Sequence, residues 1–137
     1  MKVALNPNID PKKVKILVVD DIPLNVLLVK KMLQPLGLST EEAEDGIVAM
    51  EMIGKDKPDL ILLDLMMPRM DGFEVLRRLR ADEATKHIPV IILSALNSND
   101  DVARGIAMGA EDYITKPIIM ERLQTSVVEQ INRIFGS

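Results

Sequence analysis

The chain has 137 residues, 47% hydrophobic and 28% charged, with a formal net charge of -4. That length supports one domain with a single core, and the acidic balance argues against nucleic acid as a direct ligand, because phosphate binding calls for a basic face. Cysteine is missing, which excludes disulfides, thiolate metal sites and a cysteine nucleophile.

Residues 1–13, "MKVALNPNIDPKK", mix prolines, asparagines and lysines without periodicity, predicting an extended tail, either free or ordered by packing on the domain or a neighbour, ahead of one domain over 14–137. The first ten residues carry no long apolar run, so neither a secretory signal nor a membrane span is expected and the cytoplasm is the default compartment. From Val14, strand-length apolar runs alternate with helical patterns: "VKILVV", a weaker "LSTEEA", "DLILL", "IPVIIL" and "DYIT". The first helix is periodic through Val29, Met32, Leu33 and Leu36, with Pro23 suited to its first turn and Gly37 as its stop. The second follows "EDG", turns Ile47, Met50 and Ile53 inward and closes at Gly54. The third runs through Phe73, Leu76 and Leu79. The fourth opens at "NSNDD", whose acids complement the helix dipole, and is expected to bury Val102, Ile106 and Gly109. The fifth places Ile119, Leu123, Val127, Ile131 and Ile134 on one stripe.

Five strands alternating with five helices predict a parallel sheet covered on both faces. The first, third and fourth strands are solidly aliphatic and belong in the centre. The second, broken by Glu41 and Glu42, and the short fifth belong at the edges. Right-handed crossovers then favour strand order 2-1-3-4-5, a flavodoxin-like, doubly wound α/β sheet whose ligand crevice lies at the carboxyl ends of the strands. Those ends carry Asp20 and Asp21, Asp64, Ser94, and Lys116 followed by Pro117. Two unit charges ~5 Å apart at an effective dielectric of ~20 repel by ~3 kcal/mol. One lysine does not balance three acids, so either a carboxyl titrates upward or a cation fills the gap. Hard oxygen ligands favour Mg²⁺; a metal, a free acid, a hydroxyl and a lysine together point to phosphoryl transfer.

The segments "LVVDD", "PDLILLDLMMPRMDG", "IPVIILSA" and "GAEDYITKP", in this order and each at a strand end, resemble the receiver domains of bacterial two-component response regulators from about Val14 to Phe135. The resemblance implies a signalling module rather than an enzyme. Asp64 would accept a phosphoryl group from a phosphohistidine on a histidine kinase or phosphotransfer protein. Asp20, Asp21, Asp64 and the Met66 backbone carbonyl would hold Mg²⁺, and Lys116 and Ser94 would bind phosphoryl oxygens. Ser94 and Tyr113 would form the switch, and the peptide between Lys116 and Pro117 would be cis. The expected signalling surface is the face of the fourth helix, fifth strand and fifth helix. Met120, Val128 and Phe135 are expected there as contacts for a downstream effector or a second copy. The opening "DDIPLNVLLVKKML" is similar to receivers attached to diguanylate cyclases or hybrid kinases.

Plainer roles compete at each position. Asp20 or Asp21 could cap the first helix, and an edge-strand tyrosine usually keeps its hydroxyl in water. His87, Thr85 and Thr115 are expected to be structural. At the level of function, a Mg²⁺-dependent phosphohydrolase typically places a second acid two residues after its aspartate nucleophile, where this chain has Met66. A phosphate-independent scaffold would be expected to lack part of the acid, hydroxyl and lysine set, and none is missing. The resemblance also implies that Met66 and Leu96, two residues past Asp64 and Ser94, flank the phosphoryl group, and apolar side chains there offer an attacking water no hydrogen bond, which predicts a long-lived phosphoaspartate.

Overall fold

The computed structural model describes residues 3–136. Its strands are β1 (Ile16–Val19), β2 (Thr40–Ala43), β3 (Leu60–Leu63), β4 (Val90–Ser94) and β5 (Asp112–Thr115). They form one parallel sheet in the order β2-β1-β3-β4-β5. The helices are α1 (Pro23–Leu33), α2 (Gly46–Lys55), α3 (Gly72–Ala81), α4 (Asn99–Ala107) and α5 (Met120–Phe135).

Side chains alternate across a strand, so each aliphatic run feeds two cores. Leu17, Val19, Ile61, Leu63, Val90 and Ile92 meet Ala49, Ile53, Val75, Leu76 and Leu79 of α2 and α3. Their neighbours Ile16, Val18, Leu60, Leu62, Ile91 and Leu93 meet Val26, Val29 and Leu33 of α1 and Leu123, Val127 and Ile131 of α5. Burying one such side chain contributes about 1.5–3 kcal/mol, which is why the three central strands tolerate no charge. β2 exposes Glu41 and Glu42 at the sheet edge, where water solvates them.

The register sets the height of each strand end. Val19 lies beside Leu63, and the Asp64 amide donates to the Val19 carbonyl at 2.9 Å, so Asp20 and Asp64 leave the sheet at one level. Ser94 pairs with Thr115, and the Lys116 amide donates to the Ser94 carbonyl at 2.9 Å. Asp45, Asp71 and Ser98 cap α2, α3 and α4, each accepting from the backbone amide three residues on. Gly37, with φ 78°, ends the turn of 3-10 helix that follows α1.

Several expectations need correction. α2 passes through Gly54 to Lys55, since a glycine facing open space weakens a helix without breaking it. In α4 the fully buried position is Gly105, while Ile106 is 45% exposed and Val102 is half-buried. Gly109 lies beyond the helix at φ 104°. The inward face of α4 sits close to the sheet, where a Cβ at position 105 would press on the Ile92 and Tyr113 side chains. In α5, Val128 is buried, which removes it from the proposed contact face, whereas Ile119 and Ile134 at the helix ends are exposed. Neither Asp20 nor Asp21 caps α1; Ile22 occupies that position without a side-chain bond.

Of the two options for the tail, residues 4–9 take the ordered one and pack on the domain. Leu5 and Ile9 pack against the α1–α5 core, and the Asn132 side chain grips the backbone on both sides of Leu5. It accepts from the Asn6 amide at 2.9 Å and donates to the Ala4 carbonyl at 3.1 Å.

Candidate functional site

At the carboxyl edge of the sheet, Asp20, Asp21 and Asp64 each offer a carboxylate oxygen within 4.8 Å of the others. Asp20 and Asp64 are 7% and 5% exposed and sit in the floor of the crevice, with Asp21 the more exposed member of the group. Lys116 reaches in from the end of β5, its Nζ 3.1 Å from Asp20 Oδ2 and 3.6 Å from Asp64 Oδ2. Backbone amides orient two of the acids: Ile22 donates to Asp20 Oδ1 at 2.9 Å and Met66 donates to Asp64 Oδ1 at 3.2 Å. Burial pushes the Asp64 carboxyl above the usual carboxylate range. Lys116 and the Met66 amide oppose that rise, and the charges of Asp20 and Asp21 add to it.

Three carboxylates facing one ammonium leave two negative charges in excess, and Asp21 Oδ1 is buried without a hydrogen-bond partner. An orphaned anionic oxygen in a converging set of oxygens is costly. The donor set fits a hard divalent cation that binds through a few carboxylates and keeps its remaining waters.

Above Asp64 the end of β4 turns over the crevice. Ser94 is fully buried, and its Oγ accepts from the Leu96 amide at 3.1 Å. The Tyr113 hydroxyl donates to the Leu96 carbonyl at 2.6 Å, so this tyrosine is not the edge residue with a wet hydroxyl that its position suggested. Its ring turns inward beneath α4; a Cβ on Gly105 would lie 2.7 Å from Ile92 Cδ1 and 3.0 Å from Tyr113 Cδ2. Burial raises the Tyr113 phenol, with Ser94 acting in the opposite direction. The Lys116–Pro117 peptide is cis. The His87 and Thr115 side chains are exposed, and Thr85 donates to the Leu79 carbonyl.

The sequence patterns left three features of this frame unmarked. Gly105 makes room for the tyrosine ring, and the Arg104 guanidinium lies 3.8 Å from the Phe73 ring centre. Arg69 pairs with Asp45 across two loops. Only Asp45 had a legible signal, the capping position in "EDG"; the others depend on which elements the fold brings together.

The sequence profile of the response regulator receiver domain matches residues 16–128. Response regulator PleD of Caulobacter vibrioides is 48% identical over 104 residues, covering 76% of this chain and 23% of that protein. The DNA-binding dual master transcriptional regulator RpaA of Synechocystis sp. is 42% identical over 119 residues, covering 87% of this chain and 49% of that protein. The solved receiver domain of a Francisella response regulator superposes with a TM-score of 0.82 at 35% identity, covering 89% of this chain and 99% of that one. The chain belongs to the response regulator receiver domain family and is a phosphorylation-activated signalling receiver. Domains of this family are signalling modules rather than classical enzymes. The chain spans about a quarter to a half of the length of these curated relatives.

Proposed function

We propose that Asp64 takes a phosphoryl group from a phosphohistidine on a histidine kinase or phosphotransfer protein. The convergence of Asp20, Asp21 and Asp64 around Lys116, with one buried carboxylate oxygen unpartnered, carries this reading. An Asp64 carboxylate oxygen attacks phosphorus, the phosphorus–nitrogen bond breaks as the phosphorus–oxygen bond forms, and the imidazole nitrogen leaves with the electron pair. The Met66 amide holds the Asp64 carboxylate in place, and Lys116 sets a positive charge where the transferred oxygens arrive. Asp20, Asp21, Asp64 and the Met66 carbonyl would hold Mg²⁺, whose two positive charges would offset the excess of the carboxylates and lessen the repulsion met by the phosphoryl oxygens. Ser94 would exchange its bond to the Leu96 amide for one to a phosphoryl oxygen, moving the strand-end segment to which Tyr113 is tied. The same carboxylate chemistry would allow slow self-phosphorylation from a small acyl phosphate and slow hydrolysis.

The donor's docking surface is supported by exposed Ile22, Leu24, Leu27 and Leu28. Of these, Leu27 lines a groove with Asp20 and Asp21, and Leu28 lines one with Lys116. Output through α4, β5 and α5, to an effector or a second copy, retains Met120 and Phe135 as exposed apolar contacts. Incubation with acetyl phosphate and Mg²⁺ should add one phosphoryl group by intact mass. The addition should be absent in Asp64→Asn and after chelation. An unmodified wild type overturns the reading, and equal modification of Asp64→Asn overturns the assignment of the acceptor.

The lifetime of the phosphoaspartate follows from the same crevice. Met66 and Leu96 line the groove beside Asp21 and present no polar atom to an approaching water except the weakly accepting Met66 thioether. Met66→Asn or Leu96→Glu should hasten loss of the phosphoryl group several-fold, on the scale of general-base assistance to water. Unchanged decay in both variants would show that these positions do not control the water.

A further inference from the structure

Arg69 has φ 66° and is the described non-glycine residue in the left-handed region. It sits at the centre of a three-residue turn closed by the Met70 amide donating to the Pro68 carbonyl at 2.8 Å. This is the rarer, strained form of the γ-turn, and a bulky side chain adopts it only where its surroundings compel it. Here the compelling contact is visible. Arg69 Nε and Nη2 both donate to Asp45 Oδ2, at 2.9 and 2.6 Å, while Asp45 Oδ1 accepts from the Val48 amide at 2.9 Å. Asp45 is 9% exposed in its side chain and is anchored as the α2 cap, so the fixed end of the pair is the carboxylate.

The turn belongs to the loop that leaves Asp64. That loop is closed at its base by the Gly72 amide donating to the Leu65 carbonyl at 3.0 Å, and a Cβ on Gly72 would run into the Asp64 carbonyl. Its far side rests on α2, where a Cβ on Gly46 would lie 2.5 Å from the Met70 carbonyl. Between these two contacts lie Met66, whose amide orients Asp64, and the strained turn.

We propose that the Asp45–Arg69 pair is a latch that holds the loop after Asp64 in its strained shape and thereby positions Met66 for the metal and phosphoryl site. The metal part of this inference rests on the function proposed above; the loop part does not. A surface ion pair with no positioning role would leave the loop unchanged when removed. A latch makes a sharper demand. Glycine adopts positive φ without steric cost, so it should hold the turn without the pair, whereas alanine should not.

The test compares Arg69→Ala, Asp45→Asn, Arg69→Gly and the Arg69→Gly/Asp45→Asn double variant with the wild type. Asparagine keeps one oxygen to accept from the Val48 amide, so Asp45→Asn preserves the α2 cap while removing the charge and the acceptor that faces Arg69. Amide exchange in the metal-free protein should quicken over residues 65–72 in Arg69→Ala and Asp45→Asn, with β1, β3 and α5 unchanged. Calorimetric titration with Mg²⁺ should show affinity about tenfold weaker in these two variants, the usual scale for residues that orient metal ligands. Arg69→Gly should bind Mg²⁺ more tightly than Arg69→Ala, and adding Asp45→Asn to it should change little. Wild-type Mg²⁺ affinity and exchange in all variants would overturn the latch, as would an Arg69→Gly weaker than Arg69→Ala. Quickened loop exchange with no Mg²⁺ binding in any form, wild type included, would overturn the metal reading while the latch stands.

Discussion

Asp64, buried, and Asp112, partly buried, are carboxylates at sheet ends beside a cation, and their environments drive them in opposite directions. Burial raises both. At Asp112 that penalty is outweighed by Arg122, which donates to both oxygens at 2.8 Å, by the Ser126 hydroxyl at 2.6 Å and by the Tyr113 amide at 2.8 Å. Its carboxyl is held below the usual range. Asp64 has one amide at 3.2 Å, a lysine at 3.6 Å and two neighbouring acids, and its carboxyl is raised. A buried charge whose bonds are all made within the chain is structural. One left short of partners is held ready for something that arrives from outside.

The largest expected effect falls on the unsatisfied side. Without metal, Asp64→Asn should stabilise the domain at neutral pH by about 1–2 kcal/mol, since it removes a buried charge facing like charges. With Mg²⁺ at about a hundred times its dissociation constant, the wild type should gain about 2.7 kcal/mol that the variant largely lacks, reversing their order in urea unfolding. If the order is the same with and without metal, the contrast between the two aspartates fails.

On the satisfied side, Arg122→Ala should cost about 1–2 kcal/mol in the same assay, because it strands a partly buried carboxylate while the arginine itself is half exposed. A stability equal to wild type would mean that Ser126 and the Tyr113 amide suffice. The smallest effect is a difference in pH dependence with opposite signs. The stability contributed by Asp112 is fully present above its unfolded pKa and is lost as pH falls through its lower folded value, so Asp112→Asn should flatten the curve below about pH 4. For Asp64, stability is greatest below the unfolded pKa and is lost as pH rises through the raised folded value. Metal-free Asp64→Asn should therefore flatten the curve just above pH 4. Parallel curves for the two variants would remove the distinction.

Strand identity, strand order and the row of site residues were legible because they follow from short-range chemistry. Alternation in "VKILVV", "DLILL" and "IPVIIL" specifies double burial, and a polar residue after an apolar run marks where a strand leaves the sheet. The errors fall where helix faces depend on packing distance. Periodicity alone made Ile106 an inward residue, but α4 lies close to β4 and β5 and the residue it buries against them is Gly105. Val128 looked peripheral to the α5 stripe and is buried. Tyr113 was marked by resemblance, yet its bond to the Leu96 carbonyl joins residues 17 positions apart and required the fold to be seen.

By itself the sequence determined a parallel sheet with acids, a hydroxyl and a lysine at one edge, because hydrophobic period and strand-end polarity are local properties of the chain. Tertiary structure alone decided which acid is left without a partner, which way the tyrosine faces and that Asp45 holds Arg69 in a strained turn. Each of these depends on distances between residues far apart in the chain, and both charge balance and steric room are set by those distances.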